Sequence, residues 1–146
     1  MLISKGRKYL LLLFSAAIAV FTLCACVEKP EPIVGEWVCL QLSTEGSENL
    51  ESSDGRFTFE ADEDNHAVVS VFGEPFLEGS WFKSDDLSQK ESSEAGFDAF
   101  VYGVTLEDSL YMAQIFEHED LWTLGLRGVD SDVEDILFVM IKQSSE

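Results

Sequence analysis

The chain has 146 residues, 28 of them acidic against nine Lys and Arg, for a formal net charge of −19. A field of that sign repels phosphate backbones and anionic head groups, which disfavours nucleic-acid binding and membrane attachment through a basic patch. The length suits one modest domain, and three cysteines leave little room for a disulfide framework.

The N-terminus opens with Lys5, Arg7 and Lys8 and then carries no charge from Tyr9 to Val27. Its apolar centre is about fifteen residues long, short of the roughly 20 that a bilayer-spanning helix needs, so the layout is that of a secretory signal. The run ends in Leu23-Cys24-Ala25-Cys26, which resembles the lipobox of bacterial lipoproteins. That resemblance implies a diacylglycerol on the thiol of Cys26, cleavage after Ala25 and a protein held by lipid on the extracytoplasmic side of a bacterial membrane. Residues 1–25 are then the signal peptide. Residues 26–32 are the lipidated cysteine and a tether, with Pro30 and Pro32 favouring extended geometry. Residues 33–143 form the folded domain. Removing the signal leaves Lys29, Arg56, Lys83, Lys90, Arg127 and Lys142, six bases against 28 acids, for a net charge of −22. Cys24 leaves with the signal, so Cys39 has no partner, and within Trp37-Val38-Cys39-Leu40 it reads as a small buried hydrophobe.

The remainder reads as strands. The first runs from Ile33 to Leu42, followed by a polar loop from Ser43 to Asp54. Residues 56–61, with Phe57 and Phe59 alternating against polar neighbours, form a hairpin with 67–72. After Gly73-Glu74-Pro75 comes an alternating strand from Phe76 to Lys83, then a second polar loop from Ser84 to Gly96. Further strands follow at Phe97–Thr105, Leu110–Phe116, Leu121–Arg127 and Ile136–Lys142. The last is apolar on both faces and the one before it nearly so, which implies a covered outer face or an apolar surface. Eight short strands joined mainly by hairpin turns predict an antiparallel up-and-down barrel, with a β-sandwich as the alternative.

Ile33-Val34-Gly35-Glu36-Trp37 and Gly79-Ser80-Trp81 resemble the G-x-W elements of lipocalins and of bacterial lipocalin-like lipoprotein domains. No Thr-Asp-Tyr turn is present, which fits the looser lipocalin-like group. The resemblance implies that Trp37 closes one end of the barrel under a basic side chain, with Arg127 as the candidate and Lys142 as the runner-up. An eight-stranded barrel is either filled by side chains or holds one small molecule. Phe59, Trp81, Phe100, Tyr102, Met112 and Trp122 are the candidate walls of such a pocket.

Chemistry-bearing patterns are sparse. His66 and His118 sit beside acids without metal-ligand spacing, and Asp62, Asp64, Asp130, Asp132 and Asp135 do not match the helix-loop-helix calcium motif. No nucleophile elbow or phosphate-binding glycine loop occurs. The expectation is therefore a non-enzymatic protein with no catalytic residue, no metal and no cofactor. Its partners are the membrane through the lipid anchor and either a small apolar ligand or a protein. An envelope protein with a filled core, or an inhibitor of a basic exported enzyme, is the alternative.

Overall fold

The structure, a computed structural model, describes residues 29–46, 49–96 and 99–144. Cys26 and the whole signal segment lie outside the described residues, as does Phe97.

Among the described residues, nine strands and one helix follow in chain order: β1 (Gly35–Ser43), β2 (Glu51–Ser52), β3 (Phe57–Ala61), β4 (His66–Val71), β5 (Glu74–Lys83), α1 (Asp85–Ala95), β6 (Ala99–Leu106), β7 (Ser109–His118), β8 (Leu121–Gly128) and β9 (Leu137–Lys142). All pairings are antiparallel. From β3 onward each strand pairs with the next, β3 also pairs with β1, and β9 returns to β1 with Trp37 opposite Lys142. The result is a closed eight-stranded antiparallel β-barrel of lipocalin-like type, with the two-residue β2 pairing on the far half of β1. Closure pairs the long strands on both sides over most of their length among the described residues.

Strand alternation decides what lies inside. Trp37 and Cys39 of β1, Phe59 and Ala61 of β3, Ala67 and Val69 of β4 and Trp81 of β5 join one buried cluster. Tyr102, Val104 and Leu106 of β6, Tyr111, Ala113 and Ile115 of β7, Leu124 and Leu126 of β8 and Phe138 and Met140 of β9 belong to it as well. The register of β1 shifts between Cys39 and Gln41, and the bulge turns Leu40 outward at 45% exposure. On the outer face of β9, Leu137, Val139 and Ile141 are partly exposed, so the doubly apolar pattern of this strand supplies one core face and one apolar outer face.

Two stretches depart from the sequence reading. Residues 84–96, expected as a loop, contain α1. Asp85 and Asp86 occupy its first turn, where carboxylates favour the helix dipole, and Gly96 ends it in the left-handed conformation (φ 75°) with its amide donating to the Ser92 carbonyl. The helix carries no apolar stripe, so hydrophobic periodicity had nothing to register. The second departure is the expected tether. Glu31 and Pro32 do not run on as an extended strap: the Val34 amide donates to the Glu31 carbonyl, and the resulting turn buries Ile33 completely against the barrel core.

The opposite end is covered by residues 129–136. Val133 joins the core cluster, and its backbone presses against β8 so closely that a Cβ on Gly128 would meet the Val133 carbonyl oxygen at 1.7 Å. Only glycine fits there.

Candidate functional site

The barrel end at the start of β1 gathers most of the polar-tipped side chains that the interior holds. Trp37 is fully buried, and its indole N–H donates to the Ile33 carbonyl at 2.9 Å. Lys142, arriving opposite it from β9, holds its ammonium 5.4 Å from the Trp37 ring and 5.8 Å from the Trp122 ring. It donates to the Pro32 carbonyl at 2.9 Å. Burial without a carboxylate pushes the Lys142 pKa down; the ring faces and one carbonyl stabilise the charge in place of an ion pair.

Glu31 makes the second tie. One carboxylate oxygen accepts from the Tyr102 hydroxyl at 2.9 Å and the other from the Lys83 ammonium at 3.0 Å. Burial, with the Glu31 carboxylate beside it, drives the Tyr102 phenol pKa far up, and the same carboxylate raises that of Lys83. Trp81 packs edge-on against Tyr102 with ring centroids 5.6 Å apart, and its indole N–H donates to the Asp62 carbonyl at 2.9 Å. The Trp81 carbonyl in turn accepts from the Asn65 amide group, which locks the β3–β4 turn over the strand.

The six candidate pocket residues divide. Phe59, Trp81 and Tyr102 are buried in the core, and Phe100 and Trp122 pack partly buried against it with their rings 6.1 Å apart. These five are packing partners of the interior. Met112 stands on the outer face of β7, opposite Gly103 and Arg127, because Tyr111, Ala113 and Ile115 take the inward parity. Arg127 likewise points out: Leu124, Leu126 and Gly128 are the inward residues of β8, and Arg127 is exposed. The cation over Trp37 is therefore Lys142 and not Arg127, and inward parity on β9 was the signal that could have separated them.

The remaining acid and histidine groups tie loops. His66 contacts the Asp62 carboxylate at 3.3 Å on the surface, and the His66 and Asp64 amides donate to the same carboxylate and hold its pKa low. His118 lies 3.9 Å from Glu119, both largely exposed. Asp130 accepts from the Leu110 amide and Asp132 from the Ser109 hydroxyl, fastening the covering loop to β7. Cys39 is fully buried, its thiol donating to the Gln41 carbonyl at 3.1 Å, and burial raises its pKa away from thiolate chemistry. Among the described residues, no group of three His, Cys, Asp or Glu side chains could hold a metal ion.

Recesses lined by described residues adjoin the barrel. One of about 620 Å³ runs between α1 and the start of β6, bordered by Lys83, Asp85, Gln89 and Phe100. A smaller polar one of about 280 Å³ adjoins Ser43, Glu45 and Asn49. Exposed aromatics mark the β4–β5 hairpin, where Phe72 is 76% and Phe76 64% exposed. No protein-family model, curated protein or solved structure matches the chain.

Proposed function

We propose that this protein is a lipid-anchored, extracytoplasmic, non-catalytic module that acts through the outer surface of a filled barrel. One observation carries the reading: large side chains with essentially no exposure stand at inward positions around the barrel, among them Trp37, Tyr102, Phe59, Leu106, Ile115 and Met140. Close-packed interiors of this kind leave little for a small ligand to occupy, so recognition falls to the surface. The address is supported by the residues themselves, the basic start, the short apolar run and Leu23-Cys24-Ala25-Cys26. Two acyl chains on Cys26 are what stable membrane anchoring by lipid requires.

Cells fed an alkyne fatty acid should label the wild-type protein and leave Cys26→Ser unlabelled; equal labelling of both would remove the anchor from this reading. Native mass spectrometry of the detergent-extracted full-length protein from its own host tests the interior. The expected spectrum shows the acylated chain with no retained small molecule. A reproducible extra mass released on denaturation would overturn the filled-barrel reading in favour of a small apolar ligand.

A further inference from the structure

β5 pairs with β6 only from Gly79 opposite Leu106 to Lys83 opposite Tyr102, and then the chain turns away into α1. Two residues of β6 on that side, Ala99 and Val101, are left without a strand. Their backbone groups are instead held by serines of the helix segment. The Ser84 amide donates to the Val101 carbonyl at 3.1 Å, the Val101 amide donates to Ser88 Oγ at 2.7 Å, and the Ala99 amide donates to Ser92 Oγ at 2.8 Å. Ser92 Oγ also donates to the Ala99 carbonyl at 3.1 Å. These are the donors and acceptors that an added antiparallel strand would use, spaced two residues apart along one edge. Ser84, Ser88 and Ser92 recur every four residues and so lie on one helix face, where they imitate the missing strand.

The cover meets β6 through small and polar side chains: among the described residues of α1, Ser88, Glu91 and Ser92 turn partly inward and Leu87 is 40% exposed. Ala99 and Val101 nevertheless point outward and are buried, and α1 is the element packed on β6 there. The recess of about 620 Å³ borders this same edge. The helix brings Asp85, Asp86, Glu91 and Glu94 against one Lys90.

We propose that α1 is a displaceable cover over an open strand edge, and that an extended, basic segment of a partner protein pairs with Ala99–Val101 when the cover lifts. This inference rests on the reading of the barrel as a surface-acting module and names its docking edge. Backbone pairing supplies the affinity and the acidic helix and barrel select a basic strand.

Amide hydrogen exchange on the full-length protein in detergent reads the cover directly. Ala99 and Val101 should exchange about a hundredfold faster than Gly103 and Thr105, which continue the same edge against β5, because local opening of α1 needs no opening of the barrel. A peptide of alternating lysine and valine should slow exchange at Ala99 and Val101. It should bind Ser88→Ala/Ser92→Ala about tenfold more tightly than wild type, since the variant raises the open fraction that the peptide selects. A glutamate-valine peptide should leave both amides unchanged. Equal protection along Ala99–Thr105, equal affinity of the two proteins, or no effect of the lysine peptide would each overturn the proposal. None of those results adds a retained mass to the native spectrum, so failure of the edge is distinguishable from failure of the filled barrel.

Discussion

The two ends of the barrel are closed by different means. At the Trp37 end, four large side chains each set a polar tip on a backbone carbonyl or a carboxylate: Trp37 on Ile33 four residues before it, Trp81 on Asp62, Tyr102 on Glu31 and Lys142 on Pro32. At the other end, Phe57 and Phe138 pack with ring centroids 5.7 Å apart beneath Val133, and the covering loop is fastened to the neighbouring strand by Asp130 and Asp132. The first closure binds the start of the domain to its last strand and to β5 and β6; the second is a local flap. Buried aromatics with one polar group suit the first task, since each satisfies a buried backbone group while filling volume.

The widest gap between the ends should come from truncation. Trp37→Ala should lose about 3–5 kcal/mol in urea unfolding, as a fully buried aromatic does, whereas Val133→Ala should lose about 1–2 kcal/mol. Equal losses would mean that the flap matters as much as the aromatic closure. Tyr102→Phe removes the hydroxyl but leaves Glu31 its contact with Lys83, so a loss of about 1 kcal/mol is expected in the same assay. The flap end carries a correctable strain: Phe72 sits at φ 52° in the β4–β5 turn, before Gly73 at φ 79°. Asn tolerates that geometry far better than Phe, so Phe72→Asn should raise stability by about 0.5–1 kcal/mol, read as a higher melting temperature.

The smallest effect concerns pH and isolates Lys142. Its lowered pKa means that the folded state gives up the ammonium proton before the unfolded chain does. Below the folded pKa the cost of burying the charge is constant; between the folded value and the unfolded value of about 10.4 it is relieved. Wild type should therefore gain stability relative to Lys142→Met as pH rises from about 7 toward about 10. A difference that stays flat over that interval would place the lysine in water. Comparing the two proteins at each pH cancels the opposite trend from Tyr102, whose raised pKa makes the fold lose stability once the unfolded phenol ionises.

Most of the barrel is legible in the sequence because its strands alternate: β3 and β4 have apolar residues at every second position facing the core, β5 has Leu77 and Trp81 there, and the hairpin turns that join most strands are short. Inward parity was legible less well. On β7 the outward residues Leu110, Met112 and Phe116 are as apolar as the inward Tyr111, Ala113 and Ile115, so Met112 could not be assigned by composition. Arg127 and Lys142 pose the same difficulty on β8 and β9. The helix α1 was hidden for another reason. It meets the barrel through serine hydroxyls, and a hydrophobic-period argument is blind to such a contact; the traces that do exist are Asp85-Asp86 at one end, Gly96 at the other and serines every fourth residue between.

One consequence of the β1–β9 pairing concerns the order of assembly. β3 through β9 pair in chain order, by hairpin turns except where α1 joins β5 to β6 and residues 129–136 join β8 to β9, and can zip from neighbour to neighbour, but Trp37 waits for Lys142 across nearly the whole domain. Ring closure is thus the step of longest loop entropy and is expected to come last. Until it happens β1 has an open edge toward β9, and the buried Trp37 and Ile33 have no cover. A chain delivered N-terminus first would therefore expose Ile33 and Trp37 for the longest time, and any folding helper that serves this protein has β1 as its natural point of contact.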